Sequence, residues 1–130
     1  MRTIKFRGKD LKTGKWVYGD LHTLCDEPHI HTEPTHFPYA GERSFIDPET
    51  VGQFTGLHDK NGKEIYEDDI LLNRHNRRYK VSWSDEEQRR ILVNLLNADD
   101  YLNMYKNCMD DFEVIGNIHD NPELPKGGGR

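Results

Sequence analysis

Long apolar runs are missing from this chain of 130 residues, and cysteine is scarce. No apolar run approaches the roughly 18–20 residues that a membrane-spanning helix needs, so we expect no membrane span. Residues 1–8 begin basic but have no apolar stretch behind them, so we expect no signal peptide. The two cysteines, Cys25 and Cys108, lack the spacing of a disulfide framework, which favours free thiols in a reducing cytoplasm.

An excess of basic residues is also missing. Eighteen Lys and Arg face 23 Asp and Glu, for a net charge of −5. A protein that coats nucleic acid needs many cations facing the phosphates, so this balance argues against a general coat. Hydrophobic residues make up only 34% of the chain, and much of the available burial comes from two Trp, six Tyr and five Phe. The length and this lean core predict one domain over residues 1–124.

Strand signals dominate what is present. Apolar and polar residues alternate with a period of two in several short segments, which predicts a mainly β fold, α+β at the margin. The predicted strands are residues 3–7 and 16–21, which form an N-terminal hairpin, and residues 50–57, 64–72, 78–84 and 112–118. The predicted core residues are Phe6, Trp16, Ile65, Val81, Trp83, Phe112, Val114 and Ile118. Asn61-Gly62 predicts a type I′ hairpin turn with positive φ at Gly62.

Other segments give weaker signals. Residues 25–47 are rich in proline and histidine, which predicts a long accessory loop that contributes nothing to the core. Residues 85–96 are ambiguous between helix and strand, and the apolar run from residue 91 favours a strand. Asn97 and the acids that follow it predict one short helix at residues 101–107. Residues 125–130, with three consecutive glycines, are expected to form a flexible tail.

Three motifs resemble the YopX family of phage and prophage proteins. They lie in order along the chain: IKFRGKD at residues 4–10, DPETVGQFTGL with DKNGKEIYEDDIL between residues 47 and 71, and FEVIGNIHDNPEL at residues 112–124. The resemblance implies a small SH3-type barrel with added elements, and it admits homo-oligomers. It carries no established catalysis, so it supplies no catalytic residue and no cofactor.

The histidines of the predicted loop are the only candidate metal ligands. His29 and His31 alternate on an extended segment and would point to one side, and His36 could supply a third nitrogen for zinc. No fourth ligand is evident apart from Glu33 or a distant residue, so a solvated polar loop is the simpler interpretation. We assign no metal site.

Arginines at a predicted hairpin tip are the only candidate nucleic-acid contacts. Arg74, Arg77 and Arg78 flank His75 and Asn76. Small barrels bind single strands through basic loops and aromatic faces. The alternative is a solvated turn, since three arginines make a narrow patch.

Catalytic constellations do not emerge from the remaining residues. The adjacent acids Asp68 and Asp69 would point to opposite faces of a strand, so they do not form a catalytic pair. Cys25 lies near His22 and His29 in sequence, but a thiolate nucleophile also needs a base placed in space. We therefore predict no catalytic residue and no cofactor.

These observations favour a non-enzymatic binding or assembly module that acts on a host or phage protein in the bacterial cytoplasm. A weak nucleic-acid binder that uses residues 74–78 is the alternative. A metal-dependent activity on the histidine-rich loop is a third hypothesis.

Overall fold

The computed structural model describes residues 3–24, 27–31, 43–104 and 106–124. These residues form eleven strands and two short 3₁₀ helices, so the prediction of a mainly β fold is confirmed. The described part of the chain contains no helix long and apolar enough to cross a membrane. The chain divides into two compact units, Met1–Phe54 and Thr55–Arg130. The single domain over residues 1–124 stays a prediction, and the predicted tail lies outside the described residues.

The first unit is an antiparallel sheet built on the predicted N-terminal hairpin. Its strands are β1 (Phe6–Lys9), β2 (Trp16–Leu24), β3 (Glu27–His31), β4 (Arg43–Phe45) and the first residues of β5 (Gly52–His58). Their order is β4-β3-β2-β1-β5. Gly19 of β2 is required by a close approach, because a Cβ there would collide with the carbonyl oxygen of His31.

The prediction of a loop over residues 25–47 is wrong at both ends of the segment. Strand β3 pairs with β2, and β4 pairs with β3. Ile30 is fully buried, contrary to the expectation that this segment lies outside the core. Pro28 is the second residue of β3 and pairs with Thr23, and its carbonyl oxygen accepts the N–H of Ile46 at 3.2 Å. Residues 32–42, which include His36, lie outside the described residues.

The second unit holds the largest apolar cluster described in the chain. Its sheet has the order β10-β9-β8-β7-β11, all antiparallel, and the end of β5 pairs with β6. The strands are β6 (Glu64–Tyr66), β7 (Asp69–Asn73), β8 (Arg78–Ser84), β9 (Arg89–Asn94), β10 (Tyr101–Asn103) and β11 (Phe112–Asn117). The buried cluster comprises Ile65, Leu71, Tyr79, Val81, Leu92, Met109 and Phe112. The rings of Tyr79 and Phe112 meet edge to face, with centroids 5.6 Å apart.

Most of the predicted core residues are buried or half-buried, but the prediction is wrong for Trp83. Ile65, Val81 and Phe112 are buried, and the half-buried members are Phe6, Trp16, Val114 and Ile118. Trp83 is 49% exposed. Val81 pairs with Leu92 of the core, whereas Trp83 pairs with Arg90 at the end of the sheet. The alternation along β8 therefore continues past the point where the apolar cluster ends.

The ambiguous region resolves in favour of strands. Strand β9 confirms the interpretation of the apolar run from residue 91. The predicted helix at residues 101–107 is wrong, because that region contains β10 and the start of a 3₁₀ helix, Lys106–Asp111. The Asn97 side chain accepts the N–H of Asp99 at 3.1 Å, as in a helix cap. Here the cap closes a β-turn instead, and the chain returns to pair β10 with β9.

The turn at residues 59–63 has positive φ at Gly62 (83°), as predicted. The type I′ geometry is wrong, because Asn61 has negative φ and a type I′ turn needs positive φ at both residues. The Gly62 N–H donates to the carbonyl oxygen of Asp59 at 3.0 Å, and the Asp59 N–H donates to that of Lys63 at 2.8 Å. This pattern is a type I turn followed by one left-handed residue.

Candidate functional site

The tip of the β7–β8 hairpin, residues 73–77, has a fixed backbone. The Asn73 side-chain oxygen accepts the N–H groups of His75 at 3.0 Å and Arg77 at 2.9 Å. Asn76 takes the left-handed conformation, with φ of 65°. A short polar side chain tolerates that conformation better than most residues. The tip therefore presents its exposed cations from a defined backbone.

The structure brings two of the three predicted arginines together. Arg77 and Arg78 line one cavity of about 230 Å³. We call this the tip cavity; its lining residues are His75, Asn76, Arg77, Arg78, Leu95, Leu96 and Leu124. Arg74 does not line it, and its Nε lies 3.4 Å from a carboxylate oxygen of Asp111. Both partners are well exposed, so this ion pair contributes little stability.

Electrostatics favour an anion in the tip cavity. Its lining combines two guanidinium groups and an imidazole with three leucines and contains no carboxylate. The Nε of Arg78 is buried and has no hydrogen-bond acceptor among the residues that the structure describes. The cationic lining without a carboxylate suits this cavity to a ligand that carries negative charge.

A second candidate surface surrounds the exposed tryptophan. We define the Trp83 patch as Trp83, Arg90 and Leu102. Arg90 is the cross-strand partner of Trp83, and its guanidinium carbon lies 6.0 Å from the indole centroid. The Arg90 Nε lies 3.4 Å from a Glu67 carboxylate oxygen, which fixes the guanidinium. Leu102, 40% exposed, pairs with Leu92, two residues beyond Arg90 on the same face of the sheet.

Three histidine rings cluster on one face of the first unit. The centroids of His22, His29 and His31 lie 4.5 to 5.8 Å apart. His29 and His31 are buried, and His22, the cross-strand partner of His29, is exposed. Sequence reasoning missed His22 as a member because it did not foresee the β2–β3 register. Within the described ranges, no three His, Cys, Asp or Glu side chains are arranged to hold a metal ion.

The adjacent acids occupy separate environments. The carboxylate of Asp68, a residue with φ of 71°, lies 3.3 Å from the Nε2 of His119. Asp69 is 1% exposed and accepts the backbone N–H of Tyr66 at 2.8 Å. The two carboxylates therefore have different partners. Cys25 lies outside the described residues, and Cys108 lies in the second 3₁₀ helix.

Asp59 anchors the turn at residues 59–63. Burial raises the pKa of Asp59, but hydrogen bonds from the backbone N–H groups of Val114, Lys63 and Asn61 outweigh it. The pKa consequently lies below its ordinary value. At Asp10, hydrogen bonds from the N–H groups of Lys12 and Thr13 lower the pKa of the carboxyl in the same way.

Comparisons with known proteins identify relatives of this chain. The family model described as YopX protein matches residues 5–126, nearly the whole chain. Among solved structures, the crystal structure of protein EF1440 from Enterococcus faecalis is similar, with 27% sequence identity and a TM-score of 0.59. The match covers 96% of this chain and 99% of that one. No curated protein matches the chain significantly.

Proposed function

The chain belongs to the YopX family, and we propose that it is a non-enzymatic binding or assembly module of a phage or prophage. Its partner is a protein of the phage or of the bacterial host, which it binds in the bacterial cytoplasm. The proposal retains the SH3-type barrel that the resemblance implies. The observation that carries it is the Trp83 patch.

The composition of the Trp83 patch is typical of protein interfaces. Tryptophan and arginine are the residue types that most often dominate binding energy at such interfaces. Trp83 is half exposed although it lies on the apolar face of β8. Arg90 is held beside the indole by Glu67 and is largely covered, so ordering it on binding costs little entropy. A partner that contributes apolar side chains would cover Trp83 and Leu102 together.

The experiment compares two exposed aromatics. A partner is first captured from a lysogenic host with the full chain, identified and purified. Binding of the partner is then measured with Trp83→Ser and with the control variant Tyr18→Ser. Tyr18 is an aromatic residue of the first unit and is 44% exposed. We expect Trp83→Ser to weaken binding by at least about thirtyfold, the loss of a hot spot, and Tyr18→Ser to leave it unchanged.

Two outcomes would contradict the proposal. Equal binding by both variants would show that the Trp83 patch is not the contact surface. Self-association of the wild-type chain that Trp83→Ser abolishes, measured by analytical ultracentrifugation, would assign the patch to a second copy of this chain instead.

Weak nucleic-acid binding is a second candidate function, and the tip cavity favours it. Only Arg77 and Arg78 of the three arginines line the cavity, since Arg74 pairs with Asp111. We therefore expect the slope of log K against log salt to be about 2 in magnitude or less for duplex DNA. Tight binding that persists at high salt would require a wider interface than these arginines provide.

A further inference from the structure

We propose that the tip cavity binds a terminal phosphate monoester, the group carried by a mononucleotide or by the phosphorylated end of a strand. This inference goes beyond recognition of a protein partner. It narrows the second candidate function, because the ligand becomes a terminal phosphate and not the phosphodiester backbone of a nucleic-acid strand.

The charge of the tip cavity matches a monoester better than a backbone phosphate. A monoester carries about −1.5 to −2 charge near neutral pH, whereas each backbone diester carries about −1. Arg77 and Arg78 together supply two full positive charges, and His75 adds an imidazole. No carboxylate of the lining opposes them, although the chain as a whole carries a net charge of −5.

Arg78 lines the tip cavity from a fixed position. The residue opens β8, and its own carbonyl oxygen is held by the N–H of Leu95 at 3.0 Å. The side chain therefore starts from a fixed backbone. A guanidinium group presents donors in a planar fork that matches two phosphate oxygens.

The other cavities described in this unit differ in charge. The cavity beside Leu57 and His58 is lined by two carboxylates, Asp59 and Asp110. A groove of about 390 Å³ contains one cation, Lys80, among mainly apolar residues. Among the three cavities described in this unit, the tip cavity is thus the one with a cationic lining.

The shape of the site leaves room for the group that carries the phosphate. Leu95, Leu96 and Leu124 form an apolar wall of the tip cavity, and 230 Å³ is small for a whole drug-sized ligand. Leu95 also lines the groove of about 390 Å³, where Val93 and Ile118 provide further apolar surface. The phosphate would sit against the arginines, and an attached base would extend along these apolar side chains.

Titration calorimetry on the full chain tests the inference with matched ligands. Adenosine monophosphate is compared with adenosine, and a short single-stranded DNA with a 5′-phosphate is compared with the same strand ending in a hydroxyl. We expect the phosphorylated member of each pair to bind at least about tenfold more tightly. Stronger binding by the mononucleotide assigns the site to free nucleotide, and stronger binding by the phosphorylated strand assigns it to a strand end.

Variants identify the residues that act. Arg78→Met should weaken binding of the phosphorylated ligand by about tenfold or more, and Arg78→Lys should recover only part of it. Arg77→Met, at an exposed position, gives the same test should Arg78→Met fail to fold. Arg89→Met is the matched control, because Arg89 is exposed and does not line the cavity. Its Nε lies 3.9 Å from a carboxylate oxygen of Glu87.

Three results would overturn the inference. Equal binding of the mononucleotide and adenosine, together with equal binding of the strands with and without the 5′-phosphate, would exclude the terminal phosphate. Arg89→Met that weakens binding as much as Arg78→Met would reduce the effect to net charge. A phosphoserine peptide that binds tightly while the mononucleotide does not would assign the cavity to another class of ligand.

Discussion

Two turns of the second unit share one pattern of side-chain hydrogen bonds. They are the turns at residues 59–63 and 73–77. In each, the side chain of the first residue accepts the N–H groups of the third and fifth, at 2.8 and 2.9 Å from Asp59 and at 3.0 and 2.9 Å from Asn73. In each, the fourth residue is left-handed, with φ of 83° at Gly62 and 65° at Asn76.

The two turns differ in what surrounds them. The second carboxylate oxygen of Asp59 accepts the N–H of Val114 at 2.9 Å, and the Lys60 N–H donates to Phe112 at 2.9 Å. Asp59 is 6% exposed as a result. Residues 74–77 of the other turn are all exposed. One local geometry thus anchors a turn to β11 and, elsewhere, holds cations in solvent beside a cavity.

The largest effect should come from breaking the anchored side at its core. Phe112→Ala removes a buried ring that packs on Tyr79, and we expect it to cost about 3–5 kcal/mol of unfolding free energy. That loss could unfold a domain of this size. Arg77→Ala, on the exposed turn, should change stability by less than about 0.5 kcal/mol. Denaturant unfolding of both variants measures the contrast, and similar losses would contradict it.

Removing the first side chain of each turn sharpens the comparison. Asp59→Ala leaves three partly buried backbone N–H groups without their acceptor, and we expect a loss of about 2–4 kcal/mol. Asn73→Ala removes two bonds from exposed donors that water can satisfy, so about 0.5–1 kcal/mol is expected. Thermal melting of the two variants distinguishes these values, and an equal shift would show that Asp59 is not an anchor.

Substitution of the left-handed residues isolates backbone strain. A Cβ at Gly62 would meet no atom within 4 Å, so we attribute the cost of Gly62→Val chiefly to the positive φ. We expect a loss of about 1–2 kcal/mol. Asn76→Gly, which removes a Cβ from a left-handed position, should be neutral within about 0.5 kcal/mol. An unchanged melting temperature for Gly62→Val would contradict the assigned turn.

The smallest effect is a dependence on pH confined to the Asp59 turn. The pKa of Asp59 is lowered in the folded protein from an ordinary value of 3.8. Its stabilising contribution is therefore fully present above about pH 4 and is lost as the pH falls through the lower folded value. The stability difference between wild type and Asp59→Asn should shrink below pH 4. The difference between wild type and Asn73→Ala should stay constant, because no carboxylate is involved.

Local patterns predicted the parts of this fold that depend on neighbours in sequence. Period-two alternation identified β8 and β11, and Asn61-Gly62 identified a positive φ. The burial of Asp59 could not be foreseen, because it depends on Val114, 55 positions along the chain. The exposure of Trp83 depends on where the apolar cluster ends. The sequence placed three arginines at one hairpin tip. It could not reveal that Arg74 forms an ion pair with Asp111, because that contact depends on the tertiary structure.

Proline content misled the interpretation of β3. Pro28 and the prolines beyond it outweighed the alternation of His29, Ile30 and His31, which is itself a strand pattern. A buried histidine face has no distinctive composition, so the sequence offered no signal for the cluster that His22 completes. The register of β2 against β3 determines that cluster.

The brevity of most outer strands has a colloidal consequence. Strands β4, β6 and β10, at three ends of the described sheet orders, each contain three residues, whereas β11 at the fourth end contains six. A long uncovered ladder invites another chain to add a strand and start aggregation, and a short one offers only a few main-chain bonds. Addition of a strand from another chain should accordingly be unfavourable at the three short edges. Any molecule that adheres near Trp83 must gain its affinity from side chains, because the β10 ladder is too short to supply it.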